Sequence, residues 1–134
     1  MRAAEVDVLY ADSDAMGIVY YAGYFRFFEA GRMGYMRAYA PDHPQWVAAG
    51  FGLPITRANC RYRSPARVFD RISVESSIGE VRRASFVCAY RIVNQAGGLL
   101  LAEGETEHVV IDAGGKVRRF DERMLGFFAR AREG

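Results

Sequence analysis

Two carboxylates lie two residues apart, at Asp12 and Asp14, in the segment of the chain best suited to chemistry. Residues 11–17 are rich in Asp, Ser and Gly and follow a short apolar run, 6–10, so a loop is predicted there. A carboxylate in such a loop can act as a nucleophile or as the base that activates a water molecule. It can equally form a turn or cap the following helix, and the residue types alone leave both roles open.

The other candidate nucleophiles and bases are few and isolated. Cys60 and Cys88 lie within apolar, strand-like runs, so we expect small buried side chains rather than disulfide partners. Neither has a second Cys or His at metal-ligand spacing, and no metal site is predicted. His43 and His108 are the only histidines. Structural or surface roles are expected for both of them.

The basic residues are unusual in kind. The formal net charge is +2, and all of the basic residues are arginines except Lys116. This balance does not demand a nucleic-acid partner. Arginine grips phosphate through a planar, bidentate fork, so clustered arginines are the ones of interest. Arg82 and Arg83 with Ser85, and Lys116 with Arg118, could bind a phosphorylated ligand or be solvated turn residues between strands.

The hydrophobic patterns before and after this loop predict the strands and helices that position it. After a first strand over 6–10, apolar residues at three- and four-residue steps predict a long helix over 22–39 that is covered on most faces. A helical turn is predicted over 45–49 and a closing helix over 121–132. Long strands joined by turns are predicted over 55–63, 71–81, 85–94 and 99–111. Because a largely apolar helix must be wrapped, we expect a curved antiparallel sheet around it, forming one α+β domain over 1–134.

The loop and the start of the long helix carry a specific pattern. Residues 12–24 are Asp-Ser-Asp-Ala-Met-Gly-Ile-Val-Tyr-Tyr-Ala-Gly-Tyr, and residues 27–32 are Phe-Phe-Glu-Ala-Gly-Arg. This run resembles the signature of the 4-hydroxybenzoyl-CoA thioesterase family, Asp-x-Asp-x-x-Gly-[Ile/Val]-Val, two mostly aromatic or His positions, and a Tyr. Similar stretches at 52–55, 80–87, 91–94 and 116–119 extend the resemblance over nearly the whole chain. It implies the hotdog fold, in which about five curved antiparallel strands wrap one long central helix.

The resemblance also implies an activity, the hydrolysis of a small aryl- or short-chain acyl-CoA to the free acid and CoA. The second Asp of the family motif is the catalytic carboxylate and matches Asp14, which would attack the thioester directly or position a water molecule. The backbone N–H matching Tyr21, near the predicted helix start, would polarise the thioester oxygen. Gly17 would allow the turn at the substrate. Asp12 matches a residue that mainly shapes the loop.

Glu29 is the alternative carboxylate, because a second hotdog lineage uses a helical Glu in a different motif context. It precedes Arg32 by three residues, a spacing that suits an ion pair instead. Hydration or dehydration of acyl thioesters on the same fold would need a carboxylate paired with His. No His lies near Asp14 in the sequence, which argues against that reaction.

In the resemblance, both basic clusters match segments that lie near the CoA nucleotide: Arg82, Arg83 and Ser85 in one, and Lys116 and Arg118 in the other. CoA is part of the substrate, so no separate cofactor is expected.

The expected partners are the acyl-CoA and further copies of the chain, as a homodimer or a dimer of dimers. The first residues lack the apolar run of a signal peptide, and no stretch suits a membrane span. A cytoplasmic enzyme without a membrane or nucleic-acid partner is therefore expected. Two alternatives stay open: a thioesterase acting on acyl carrier protein, and a non-catalytic acyl-CoA-binding module. The acyl group itself is not specified by the sequence.

Overall fold

One antiparallel sheet contains the six strands of the computed structural model, which describes residues 1–133. In chain order the strands are β1 (Arg2–Asp7), β2 (Ile55–Tyr62), β3 (Arg71–Val81), β4 (Ser85–Asn94), β5 (Leu100–Ile111) and β6 (Val117–Arg118). The order across the sheet is β1-β3-β4-β5-β2, and the short β6 pairs with β5. The connections from β3 to β4 and from β4 to β5 are hairpins, as the sequence predicted.

A long helix packs against this sheet. The helices are α1 (Tyr24–Tyr39), α2 (His43–Ala48) and α3 (Glu122–Glu133), and α1 contacts β1, β3 and β4. The buried face of α1 carries residues at the predicted three- and four-residue steps: Tyr24, Phe27, Phe28, Gly31, Tyr35 and Met36. No helix within residues 1–133 combines the length and the apolar character needed to cross a membrane.

The helix approaches the sheet most closely at two glycines. A Cβ atom at Gly34 would overlap the backbone carbonyl of Ala3 in β1, and one at Gly31 would overlap the side chain of Val74 in β3. Glycine costs a helix about 1 kcal/mol relative to alanine. The close approach explains why both positions nevertheless carry glycine.

The first strand differs most from its prediction over 6–10. β1 ends at Asp7, and Tyr10–Asp12 forms a 3₁₀ turn instead. β1 pairs with β3 from Arg2 opposite Glu75 to Asp7 opposite Arg71. The Ala and Glu residues of β1 have little strand propensity of their own, so this pairing stabilises the strand. The position of β1 is therefore determined by its pairing with β3 and not by the local sequence pattern.

The remaining boundaries differ by smaller amounts. α1 begins at Tyr24 rather than 22, because Tyr21–Gly23 forms a separate 3₁₀ turn before it. α2 begins two residues before the predicted turn, at His43. β6 was not predicted, since two residues are too few for a periodic signal.

Candidate functional site

Asp12 holds the loop between β1 and α1 together. Its Oδ2 accepts a hydrogen bond from the N–H of Leu9 at 2.9 Å, and its Oδ1 lies 2.6 Å from Nη2 of Arg26 in α1. Its backbone carbonyl accepts from the N–H of Tyr20 at 3.0 Å. With its side chain 9% exposed, Asp12 joins both ends of the loop to the first turn of the helix. These contacts support a loop-shaping role.

Asp14 is held differently, because only one of its two carboxylate oxygens accepts a hydrogen bond within residues 1–133. Its backbone N–H donates to the carbonyl of Ile18 at 2.8 Å, and its carbonyl accepts from the N–H of Gly17 at 3.1 Å. Gly17 has a φ of 77°, a conformation that residues with a Cβ rarely adopt. Oδ1 accepts from the N–H of Met16 at 2.8 Å. Oδ2 has no hydrogen-bond partner within residues 1–133, so it is available to a water molecule or a ligand.

Asp14 lines a cavity of about 410 Å³. The walls come from the loop, the start of α1, the end of β2 and the segment after β2, and they are mainly aromatic and apolar. The lining residues are Asp14, Ile18, Val19, Tyr21, Tyr24, Tyr62, Arg63, Ser64 and Pro65. An apolar cavity with a few convergent polar groups is typical of a small-molecule site.

Tyr21 lies in the same cavity and begins the 3₁₀ turn that leads into α1. Its N–H finds no acceptor in the described part of the chain, as expected for the first N–H groups of a helical turn. The helix itself starts two residues later than the sequence predicted, so the turn, and not α1, carries this donor. Asp14 and Tyr21 therefore line the same cavity.

The two basic clusters are adjacent to each other. The N–H of Phe120 donates to the carbonyl of Arg83 at 3.1 Å, which joins the β3–β4 turn to the segment after β6. Ser85 is half-buried, and the cationic residues of both clusters are exposed. None of the five predicted residues lines the cavity that contains Asp14. Any nucleotide bound at the clusters would therefore lie apart from the carboxylate.

Two of the four cations in these clusters are already paired. Nε of Arg82 lies 3.0 Å from Oε1 of Glu80, and Nε of Arg118 lies 2.6 Å from Oδ2 of Asp112. The Arg118 guanidinium is the main reason that the pKa of Asp112 is lowered. Arg83 and Lys116 have no carboxylate within ion-pair distance among residues 1–133. They are consequently the better candidates for binding a phosphate.

Glu29 does not contribute to the cavity. Its side chain is exposed on α1, and it forms no ion pair with Arg32 in the described structure. Arg32 donates instead from Nη1 to the hydroxyl of Tyr90 at 3.1 Å. The spacing predicted an ion pair, but Arg32 turns inward toward the sheet while Glu29 faces outward.

His108 belongs to a buried hydrogen-bond chain that the sequence did not reveal. Its Nδ1 lies 2.9 Å from the carbonyl oxygen of Leu53, which can only accept, so Nδ1 carries the proton. Nε2 then accepts from the hydroxyl of Thr106 at 2.8 Å, and that oxygen accepts from the hydroxyl of Tyr90 at 2.7 Å. Burial lowers the pKa of His108, which favours this neutral form. The i, i+2 spacing of Thr106 and His108 on one strand face was the available signal.

The cysteines offer no reactive thiolate. Both are free, and burial raises the pKa of Cys60 and raises that of Cys88 to about 11. Both thiols are therefore protonated near neutral pH and are poor nucleophiles. Within residues 1–133, no three His, Cys, Asp or Glu side chains are grouped to hold a metal ion.

Thr106→Val is expected to lower the free energy of unfolding by about 2 kcal/mol, because it leaves Nε2 of His108 without a donor and the Tyr90 hydroxyl without its acceptor. Thr56→Val is the matched control, since Thr56 is exposed and bonds only the carbonyl of Glu107, at 3.3 Å. Urea unfolding measures both variants. Equal stability of the two variants would contradict the inferred chain.

Comparisons with known proteins identify the family. Residues 8–128 match the thioesterase-like superfamily. The acyl-CoA thioester hydrolase YbgC of Shigella flexneri is 34% identical over 107 residues, which cover 80% of this chain and 79% of that protein. The 1,4-dihydroxy-2-naphthoyl-CoA hydrolase of Synechocystis is 28% identical over 108 residues, covering 80% and 78%.

A solved structure supports the same assignment at the level of the fold. The crystal structure of DHNA-CoA thioesterase from Staphylococcus aureus superposes with a TM-score of 0.88 at 24% identity, covering 97% of this chain and 87% of that one. The predicted hotdog fold is thereby confirmed, with the short β6 added to the expected five strands. The chain belongs to the thioesterase-like superfamily and is a thioester hydrolase.

Proposed function

We propose that this chain is an acyl-CoA thioesterase in which Asp14 is the reacting carboxylate. The observation that carries the proposal is the shared cavity of Asp14 and Tyr21, with a free carboxylate oxygen on one residue and a free backbone N–H on the other. The names of the relatives, an acyl-CoA thioester hydrolase and a naphthoyl-CoA hydrolase, support acyl-CoA as the substrate class.

The chemistry needs these two groups and a water molecule. In one route, Asp14 takes a proton from water while the water oxygen attacks the thioester carbonyl. The N–H of Tyr21 stabilises the negative charge on the carbonyl oxygen. The carbon–sulfur bond then breaks, and the proton passes to the CoA thiolate. In the other route, Asp14 attacks the carbonyl itself, CoA leaves, and water hydrolyses the mixed anhydride. Both give the free acid and CoA.

The cavity walls favour a flat or short apolar acyl group. Tyr24 and Tyr62 meet edge to face with ring centroids 5.0 Å apart, and Ile18 and Pro65 complete the apolar surface. Aromatic groups pack well against such rings in offset or edge-to-face arrangements. We therefore propose a small aryl- or short-chain acyl-CoA as the substrate. The volume of the cavity limits the size of its acyl group.

Arg83 and Lys116 are proposed to bind the phosphates of the CoA nucleotide, with Ser85 as a hydroxyl donor. The long pantetheine arm of CoA separates its nucleotide from the thioester, so these residues need not line the cavity. The alternative substrate is an acylated carrier protein, which presents the same arm but no 3′-phosphate. Arg82 and Arg118 could join only after giving up their carboxylate partners.

A second copy of the chain is the proposed protein partner, and the exposed edge of β2 is its proposed contact. β2 pairs with β5 alone, and seven of its eight residues are exposed. A long unpaired edge readily pairs with another strand. The last residue of β2, Tyr62, lines the Asp14 cavity, so a partner at this edge would lie beside the site. A dimer of dimers and a cytoplasmic location stay predictions from the sequence.

Asp14→Asn is expected to lower kcat by about 100-fold or more, because the amide is neither a base nor an effective nucleophile. The assay follows free-thiol release from a panel of aryl- and short-chain acyl-CoAs. Glu29→Gln is the matched control, since it neutralises an exposed carboxylate outside the cavity, and it should keep full activity. Near-parental turnover by Asp14→Asn on every thioester would reject the proposal.

Arg83→Gln is expected to raise the KM for an acyl-CoA about tenfold, because it removes a charge-assisted bond to phosphate. The same acyl group on pantetheine, which lacks the nucleotide, is the control, and its KM should not change. Equal KM changes on the two substrates would contradict nucleotide binding at Arg83. Faster hydrolysis of acylated carrier protein than of acyl-CoA would favour the alternative substrate.

Light scattering is expected to give a mass twice the 15.0 kDa of one chain. Activity per chain should fall on dilution as the dimer dissociates, because the proposed contact borders the cavity. A monomer with constant activity at every dilution would contradict the proposed partner.

A further inference from the structure

We propose that Tyr62 is a positioning residue, whose hydroxyl holds the 3₁₀ turn that presents the oxyanion donor. The inference rests on the proposed function of Asp14 and Tyr21. It assigns to a residue of the distant strand β2 a role beyond that of a cavity wall.

The central observation is one hydrogen bond between segments far apart in the chain. Oη of Tyr62 lies 2.7 Å from the backbone carbonyl oxygen of Tyr21, 41 residues away. A carbonyl oxygen can only accept, so the phenol donates. The bond joins the last residue of β2 to the first residue of the turn.

This bond restrains the N–H of Tyr21 as well as its carbonyl. Both groups flank the same α-carbon, and a residue has only two soft backbone dihedrals. The next anchor lies at Tyr20, whose N–H donates to the carbonyl of Asp12 at 3.0 Å, while the carbonyl of Tyr20 accepts from Gly23 at 2.8 Å. With Tyr62 on its other side, the donor peptide is fixed from both directions.

The position of Tyr62 is itself well defined. Its ring meets that of Tyr24 edge to face at 5.0 Å, and Tyr24 is 3% exposed. Oη of Tyr24 in turn accepts from the N–H of Ala66 at 3.0 Å. Although 44% of Tyr62 is exposed, its hydroxyl is directed at Tyr21. Desolvation, with a contribution from nearby Cys60, raises the pKa of Tyr62 to about 12, so the hydroxyl stays a donor at neutral pH.

Positioning of this kind acts on the transition state. An oxyanion donor works only when it lies about 2.7–3.1 Å from the site where the negative charge develops. A turn without its anchor samples other positions, which weakens that contact. The acyl group still packs against the ring of residue 62. Loss of the hydroxyl should therefore reduce kcat and leave KM nearly unchanged.

The test is Tyr62→Phe, which removes the hydroxyl and keeps the ring. We expect kcat to fall about tenfold with KM within about twofold, a part of the 100- to 1,000-fold loss that follows removal of an oxyanion donor. The pH profile of kcat should keep its shape, because Tyr62 transfers no proton. Tyr10→Phe is the matched control: Tyr10 is 72% exposed and meets Phe69 edge to face, and its variant should match the parent.

Asp14→Asn, assayed on the same substrates, separates the two proposals. If Asp14→Asn is inactive and Tyr62→Phe keeps the parental kcat, the positioning role is wrong and the proposed function stands. An increase in KM alone would also overturn it, because Tyr62 would then be only a wall of the cavity. If Asp14→Asn remains active, the proposed function fails whatever Tyr62→Phe does. Circular dichroism melts check that each variant is folded. If Tyr62→Phe is not, replacement of Tyr62 by 4-fluorophenylalanine takes its place, because that residue keeps the ring and removes the hydroxyl donor.

Discussion

Burial of α1 against the sheet is the constraint on which the candidate site depends. Phe27 and Phe28 are fully buried, and the helix approaches β1 and β3 so closely that a side chain at Gly31 or Gly34 would overlap them. A helix packed this tightly cannot slide or rotate without losing many contacts. The end of the turn that leads into α1 is consequently fixed relative to the sheet, whereas its first residue, Tyr21, depends on the hydrogen bond from Tyr62.

Asp12 and Asp14 show how the same side chain takes different roles two residues apart. Every acceptor group of Asp12 is used: both carboxylate oxygens and the backbone carbonyl bind Leu9, Arg26 and Tyr20. In Asp14, one carboxylate oxygen accepts a hydrogen bond from the N–H of Met16 and the other has no partner within residues 1–133. The first arrangement stiffens the loop, and the second leaves a charged group oriented but unsatisfied. A rigid loop with one free carboxylate is what preorganised catalysis requires.

Local signals predicted the parts of the structure that are formed locally. The hairpins of β3, β4 and β5 and the buried face of α1 follow from periodicity along the chain. Asp14 and Tyr21, which the family pattern selected within one short run, line one cavity. β1 was misplaced because its pairing with β3 overrides weak strand propensity. The roles of Thr106 and Tyr62 depend on contacts across the sheet or between distant segments, which spacing along the chain does not encode.

The residues of the candidate site come from two separate stretches of the chain. Asp14 and Tyr21 come from one continuous segment, but the hydroxyl that anchors Tyr21 comes from β2, which has a single neighbour in the sheet. An edge strand opens more easily than a central one, because half of its backbone groups lack partners in the sheet. Order at this edge and order at the proposed oxyanion donor are therefore linked through one hydrogen bond. A second chain paired along β2 would strengthen the edge, so assembly and catalysis would be coupled at Tyr62.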